Sequence, residues 1–151
     1  MKIALGSDQK TNLTDFVVEE LKKLGHEVEL FGPLVGEHLQ WVDIGRMVAE
    51  KIARQDCEQG ILFCWTGTGV SIAANKIPGV RAALCFDAET ARGARKWNDA
   101  NILVISLRLT SEPVAKEILE SWFTTEVDES EKSNIEKISE IEKRYCFRIN
   151  L

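Results

Sequence analysis

The segment GILFCWTGTGVSIAANK, residues 60–76, runs from an apolar strand through a turn rich in glycine and threonine into a helical pattern. Residues 61–63 form an uninterrupted apolar run, which is typical of a strand covered on both faces. The turn at residues 66–69 has little side-chain bulk, so a ligand can approach its backbone. Amide N–H groups of such a turn converge on one place, where negative charge is favoured. Cys64 is expected beside that place, so the segment predicts a base or nucleophile next to an anion hole.

The rest of the chain alternates strand and helix patterns. Besides the Cys64 strand, we predict strands at residues 2–6, 28–31, 81–85 and 102–105. Besides the helix after the turn, we predict helices at residues 11–24, 41–54, 87–95, 111–123 and 132–146. Strands that alternate with helices form a parallel sheet covered on both faces. The 151 residues suit one compact domain, so we expect a three-layer α/β sandwich over residues 1–151, with five parallel strands and a C-terminal helix.

Several side chains that could react with or bind a ligand follow the predicted strands. Asp8, Cys64 and Arg108 each come directly after one, as does the pair Phe86-Asp87. The carboxyl ends of parallel strands meet at one edge of the sheet, where ligands bind, so we expect these residues on the same rim. Two simpler interpretations stay open: Cys64 is an inert core thiol, and Asp8 caps the helix after the first strand.

The bulk composition argues against several classes of protein. A net charge of −5 without clusters of Lys and Arg does not favour non-specific nucleic-acid binding. No apolar run reaches the length of a membrane span and the first residues enter a strand directly, so we expect neither a membrane anchor nor a signal peptide. The four cysteines lack CxxC spacing, which indicates reduced thiols in a cytoplasmic protein. The two histidines, His26 and His38, are widely separated, and we expect no metal and no cofactor.

Six segments together resemble the ribose-5-phosphate isomerase B family, which includes the galactose-6-phosphate isomerase subunits (RpiB/LacA/LacB). They are KIALGSD (2–8), LGHEV (24–28), residues 60–76, PGVRAALC (78–85), NDAN (98–101) and residues 138–145. The likeness covers nearly the whole chain in the same order. It implies a Rossmann-like sheet and a homo-oligomer, a dimer or tetramer, with the active site between two subunits. It also implies that the chain interconverts aldose and ketose phosphates without a metal.

The resemblance assigns roles to individual residues. Cys64 would take the proton from the sugar carbon beside the carbonyl. The backbone N–H groups around Gly67 and Gly69, in the turn that also holds Thr68, would hold the enediolate oxygen. Thr66, together with Asp8, would help to open the sugar ring.

Two further positions complete the site that the resemblance implies. Asn98 would contact the substrate from the partner subunit. Arg108 matches an arginine that helps to bind phosphate.

The chain departs from the family pattern at several positions of its site. Gln9 stands where the family has a histidine, and Trp97 replaces a second histidine, so two titratable rings are missing. Trp65 replaces the glycine of a Cys-Gly-Thr-Gly motif, and Trp41 stands where a tyrosine is usual. The added tryptophans suit either stacking on a sugar face or an aromatic ligand, or packing at the dimer interface.

The C-terminal part of the site departs further. The family pattern Gly-Gly-Arg-His-x-x-Arg aligns with residues 128–134, so Ser130 and Asn134 replace two arginines, with Glu129 and Glu131 nearby. Each lost charged hydrogen bond removes roughly 1.5–3 kcal/mol of phosphate affinity. We therefore expect a substrate different from ordinary pentose phosphates.

Three functional hypotheses follow. The first is a sugar or sugar-phosphate aldose–ketose isomerase of this family with altered substrate specificity. The second is a non-catalytic member that binds a metabolite, or one subunit of a mixed isomerase assembly. The third, a nucleotide-binding domain, is disfavoured because the turn lacks the GxGxxG spacing.

Overall fold

A computed structural model describes residues 1–146 as a five-stranded parallel sheet with helices on both faces. The strands are β1 (Lys2–Ser7), β2 (Glu27–Phe31), β3 (Gln59–Cys64), β4 (Ala82–Leu84) and β5 (Ile102–Ser106). The helices are α1 (Asn12–Lys23), α2 (Trp41–Ala53), α3 (Thr68–Ala74), α4 (Ala88–Asn98), α5 (Glu112–Thr124) and α6 (Lys132–Cys146). The predicted Rossmann-like α/β fold is confirmed. Between β2 and α2 the chain forms a short 3₁₀ helix, Gly32–Val35.

The sheet has the strand order β2-β1-β3-β5-β4, and all neighbours are parallel. From β1 the chain continues to one side of the sheet, and from β3 it continues to the other. The boundary between β1 and β3 is therefore the switch point of the topology, where α/β sheets open a crevice at the carboxyl ends of the strands.

Two apolar layers cover the sheet. One layer packs α1, α4 and α5 around the fully buried Leu21, Phe63 and Trp122. The other packs α2 and α3 around Ile44 and Leu62, which are also fully buried. Because successive strand residues point to opposite faces, Leu62 and Phe63 of β3 each anchor one of these layers.

Helix ends follow the sequence signals with one exception. Thr11 caps α1 in a capping box with Thr14, and Asp87 caps α4 by accepting a hydrogen bond from the Thr90 amide. Ser111 occupies the predicted N-cap position of α5, but its side chain forms no capping hydrogen bond. Pro113 in the first turn marks the start of α5 instead, because proline fits a position whose N–H has no helical partner.

The edge strand β4 is held in place by polar contacts from neighbouring loops. Arg81 donates to the Asp99 carboxylate at 3.0 Å and to the Asp99 carbonyl at 2.9 Å, which links the start of β4 to the end of α4. Glu142 of α6 accepts hydrogen bonds from the Gly79 amide at 3.0 and 3.1 Å, which ties the last helix to the same edge. Within residues 1–146, no helix combines the length and apolar character needed to cross a bilayer.

Candidate active site

A cavity of about 320 Å³ lies at the switch point between β1 and β3. Of the residues expected at the rim, Asp8 and Cys64 line this cavity, whereas Phe86, Asp87 and Arg108 do not. The remaining lining residues are Trp41, Trp65, Thr66, Thr68 and Gly69. Asp8 and Cys64 both line this cavity, beside the turn that follows β3. We therefore treat this cavity, called the Cys64 cavity below, as the candidate active site.

Strand register brings Asp8 and Cys64 together. Ser7 of β1 is paired with Phe63 of β3, and continuing the same register places Asp8 beside Cys64. The thiol of Cys64 is nearly buried, with 5% of the residue exposed, and it lines the cavity. The two other cysteines of known environment, Cys57 and Cys85, are buried and lie elsewhere.

The carboxyl group of Asp8 is partly buried and poorly solvated. Its Oδ1 atom is shielded from solvent and has no hydrogen-bond partner within residues 1–146. Burial raises the pKa of Asp8 above that of an ordinary aspartate, because the charged form loses solvation. The alternative that Asp8 caps α1 is wrong, since Thr11 provides that cap. Asp8 instead lines the Cys64 cavity, where its carboxyl group can contact a ligand.

The turn between β3 and α3 presents free amide groups. Gly67 has a φ of 80°, a left-handed conformation that glycine adopts without strain. The amide N–H groups of Thr66, Gly67 and Thr68 donate to no protein acceptor in the part of the chain that the structure describes. The hydroxyls of Thr66 and Thr68 lie 2.7 Å apart and share a hydrogen bond. Such a turn can stabilise an oxyanion through its backbone donors.

Two tryptophans form an aromatic wall of the Cys64 cavity. Trp41, the first residue of α2, lies against the backbone of Gly69. Trp65 follows Cys64 directly and is 51% exposed, so its indole faces solvent at the cavity mouth and does not fill the core. Both rings offer apolar faces suited to stacking.

Gln9 and Arg108 lie near this rim but outside the cavity wall. The side chain of Gln9 is exposed, and its backbone is held by Ser7, whose Oγ donates to the Gln9 carbonyl at 2.6 Å. Arg108 is exposed, and its amide donates to the carbonyl of Trp65 at 2.9 Å. Within residues 1–146, no carboxylate lies within ion-pair distance of the Arg108 guanidinium.

Trp97 and Asn98, at the end of α4, lie away from Cys64 in the same protomer. Both line a separate cavity of about 420 Å³ along α4, and Trp97 packs over Gly93. A contribution of Asn98 to a site in a second subunit stays a prediction.

In residues 128–134, where the family pattern has phosphate-binding arginines, the polar side chains of Ser130 and Asn134 form hydrogen bonds within the segment. Ser130 donates its hydroxyl to Asp128 at 2.7 Å, and Asn134 donates its amide to Glu131 at 2.8 Å. Both polar side chains are thus engaged with acids of their own segment.

One buried polar residue next to the turn was not predicted from the sequence. Ser106, the last residue of β5, is paired with Cys64 in the sheet and is fully buried. Its hydroxyl donates to the Trp65 carbonyl at 2.9 Å. The available signal was a serine at the end of the apolar strand ILVIS.

Comparison with known proteins gives consistent results. Residues 3–141 match the model of a family described as Ribose/Galactose Isomerase. The chain is 33% identical to ribose-5-phosphate isomerase B of Escherichia coli, over 95% of this chain and 97% of the relative. It is 35% identical to 4-deoxy-4-sulfo-D-erythrose isomerase of a Clostridium species, over 83% and 80% of the two chains. The structure of Clostridium thermocellum ribose-5-phosphate isomerase B superposes with a TM-score of 0.89 at 41% identity, covering 96% and 99%.

Proposed function

The chain belongs to the ribose/galactose isomerase family of sugar-phosphate isomerases, and we propose that it interconverts an aldose and a ketose through an enediolate with Cys64 as the base. The observation that carries the proposal is the Cys64 cavity, where a cysteine and a carboxyl group face the free amides of a turn. Isomerisation through an enediolate requires a base at carbon and donors at the developing oxyanion.

The proposed reaction moves one proton between adjacent carbons. The sulfur of Cys64 accepts the proton from the carbon next to the carbonyl, and the electron pair of that C–H bond forms the double bond of the enediolate. The carbonyl oxygen takes the negative charge, which the amides of Thr66, Gly67 and Thr68 stabilise. The second oxygen then passes its proton to the first, and Cys64 returns its proton to the neighbouring carbon.

Asp8 is proposed to supply the acid for ring opening. Gln9 and Trp97 each stand where the family pattern has a histidine, and neither side chain can titrate, so these two positions offer no acid here. The raised pKa of Asp8 favours the protonated carboxyl, which can donate to a ring oxygen. Thr66, whose hydroxyl is paired with that of Thr68, would orient the substrate hydroxyls beside it.

We propose that the substrate differs from ordinary pentose phosphates. Ser130 and Asn134 offer no positive charge, and both are bonded to acids of their own segment. Trp41 and Trp65 offer aromatic faces instead. One relative is named as an isomerase of a sulfonated sugar, so the substrates named among the relatives are not all sugar phosphates. The substrate class is therefore a sugar, or a sugar phosphate held with few charged contacts.

The direct test replaces Cys64 and follows isomerisation of a panel of sugars and sugar phosphates. We expect turnover of at least one substrate by the wild-type protein, and a loss of at least about 10²-fold in Cys64→Ala. Cys85→Ala is the matched control, because Cys85 is buried elsewhere and burial raises its pKa to about 12. Equal turnover by Cys64→Ala and the wild-type protein would exclude Cys64 as the base.

A second candidate function is a non-catalytic metabolite-binding member, or one subunit of a mixed assembly. It is favoured by Gln9 and Trp97, which replace titratable rings. Full isomerase activity of the purified chain alone would eliminate this candidate. Activity that appears only after addition of a second, histidine-bearing chain would support it.

A further inference from the structure

We propose that Ser106 is a positioning residue that orients the backbone N–H groups of the turn after β3, the groups proposed to bind the oxyanion. The inference rests on the proposed isomerase function, which it deepens by assigning a residue outside the cavity wall. Ser106 touches neither the cavity nor any proposed reacting atom. It acts through the backbone of Trp65.

The register of the sheet places Ser106 of β5 beside Cys64 of the neighbouring strand β3. It is the last residue of β5 and pairs with Cys64, the last residue of β3. Its residue is fully buried, so its hydroxyl must find partners within the protein. The Oγ atom donates to the Trp65 carbonyl at 2.9 Å and accepts from the Leu109 amide at 3.3 Å.

The Trp65 carbonyl is thereby held from two sides. It accepts one hydrogen bond from the Ser106 hydroxyl and a second, also 2.9 Å long, from the Arg108 amide. Just before it, the Cys64 carbonyl accepts from the Leu107 amide at 3.1 Å. The loop after β5 therefore fixes two successive peptide groups of the turn.

A fixed carbonyl fixes the direction of the next amide. The peptide group is planar and trans, so the N–H of Thr66 points opposite to the carbonyl of Trp65. That carbonyl faces the loop after β5, and so the Thr66 N–H faces away from the loop. Thr66 lines the Cys64 cavity, and its N–H has no protein acceptor within residues 1–146. The Ser106 hydroxyl thus sets the direction of the Thr66 N–H, which is one of the donors proposed to stabilise the enediolate oxygen.

The packing around Gly67 leaves the turn little room to adjust. A Cβ on Gly67 would collide with Cδ1 of Leu84 and lie 3.5 Å from the amide nitrogen of Ser106. The turn is pressed against β5 at this point. The contacts of the turn with β5 therefore set its geometry. The Ser106 hydroxyl is a polar side chain of β5 that bonds this turn.

The test is Ser106→Ala, which removes the hydroxyl and leaves the Arg108 hydrogen bond in place. Loss of a whole oxyanion donor costs about 10²–10³-fold in kcat, so we expect a misaimed donor to lower kcat about tenfold. The KM should stay within about twofold, because ground-state binding is little affected. Ser106→Cys keeps a side chain of similar size with a weaker donor, and it replaces Ser106→Ala if that variant does not fold. Thr110→Val is the control, since Thr110 is buried in the same loop and its hydroxyl has no partner among the described residues.

A second measurement separates this inference from the proposed function. Backbone order parameters from ¹⁵N relaxation report the mobility of the Thr66 and Gly67 amides whether or not the protein is active. We expect lower order parameters for both amides in Ser106→Ala and unchanged values in Thr110→Val. If the wild-type protein is inactive, the proposed isomerase function is wrong. The order parameters alone then decide whether Ser106 restricts the motion of the turn. Unchanged order parameters, or an active protein whose kcat survives Ser106→Ala, would overturn the inference.

Discussion

Trp41 lies so close to Gly69 that a methyl group on Gly69 would come within 2.9 Å of Cε3 of the indole. Gly69 therefore allows the aromatic wall of the Cys64 cavity to rest directly on the backbone of the turn. The contact joins the start of α2 to the start of α3 and fixes the distance between the indole and the amides. The width of the cavity depends on it.

Gly69→Ala should displace the Trp41 indole and weaken substrate binding. Overpacking of this kind typically costs about 1–3 kcal/mol, and Trp41 is half exposed, so we expect the low end of that range. The KM should rise several-fold more than kcat falls. The control is the same substitution in a Trp41→Ala background, where no indole is left to displace. A double-mutant cycle on the free energy of unfolding that showed no coupling would contradict the proposed contact.

Asp8→Asn should raise stability at neutral pH while it lowers activity. The folded-state pKa of Asp8 lies above its unfolded value of 3.8, because burial disfavours the charged form. Above pH 3.8 the folded state binds more protons than the unfolded state, so the wild-type protein loses stability as the pH rises through this window. Asparagine removes that loss, and it also removes the proposed acid. Denaturant unfolding and turnover at several pH values test both effects, with the exposed Asp56→Asn as control. A variant that is both less stable at pH 7 and fully active would contradict this account.

Glu29 of β2 should make the protein sensitive to acid. Its carboxylate bonds Lys2 and Lys51, each at 2.8 Å, and these hydrogen bonds lower the pKa of Glu29 from 4.5 to about 2. The resulting stability is fully present above pH 4.5 and is lost as the pH falls through about 2. Glu29→Gln should therefore lower the free energy of unfolding at pH 7 and flatten its dependence on pH in that window. Glu27→Gln, on the exposed end of the same strand, should leave the slope unchanged. If it flattened the slope equally, the effect would not belong to Glu29.

Much of the architecture was predictable because its signals are local. The alternation of apolar runs and caps gave the five strands and six helices, and Thr11 and Asp87 mark helix starts as expected. The placement of Asp8 and Cys64 at one rim also followed, since both come directly after strands and parallel strands end at one edge of the sheet. Their meeting in one cavity additionally requires the pairing of β1 with β3, and Arg108, expected at the same rim, lies outside the cavity wall.

The missed details depend on contacts between distant parts of the chain. The hydrogen bond from Ser106 to Trp65 joins residues 41 positions apart, and only the register of β3 with β5 creates it. The backbone of Gln9 is likewise held by the Ser7 hydroxyl, and the Gln9 side chain is exposed. A sequence pattern shows which residues end a strand, but not which neighbour their hydroxyls reach.

The proposed site between subunits makes a prediction about mixed oligomers. If Cys64 of one subunit works with Asn98 of its partner, then Cys64→Ala and Asn98→Ala should each lower activity as homo-oligomers. In a mixed dimer one of the two sites regains both native residues. Random mixing of equal amounts after unfolding and refolding should therefore restore about a quarter of wild-type activity. Mixing two different substitutions of Cys64 is the control, and it should restore none. Equal results for both mixtures would place the site within one subunit, and wild-type activity of the Asn98→Ala homo-oligomer would place Asn98 outside the site.

Arginine at positions 130 and 134 should shift the substrate preference towards phosphorylated sugars. Ser130 and Asn134 now bond Asp128 and Glu131, so the segment presents no cation of its own at these positions. Each charged hydrogen bond to phosphate contributes about 1.5–3 kcal/mol, which corresponds to roughly 10- to 150-fold in affinity. The double variant Ser130→Arg/Asn134→Arg should therefore raise the ratio of kcat/KM for a sugar phosphate over that for the free sugar. Ser139→Arg adds one positive charge, half that of the double variant, at an exposed position of α6 and controls for non-specific attraction of anions. If both variants raise the ratio equally, these positions do not face the substrate, and the loss of arginines there does not explain specificity.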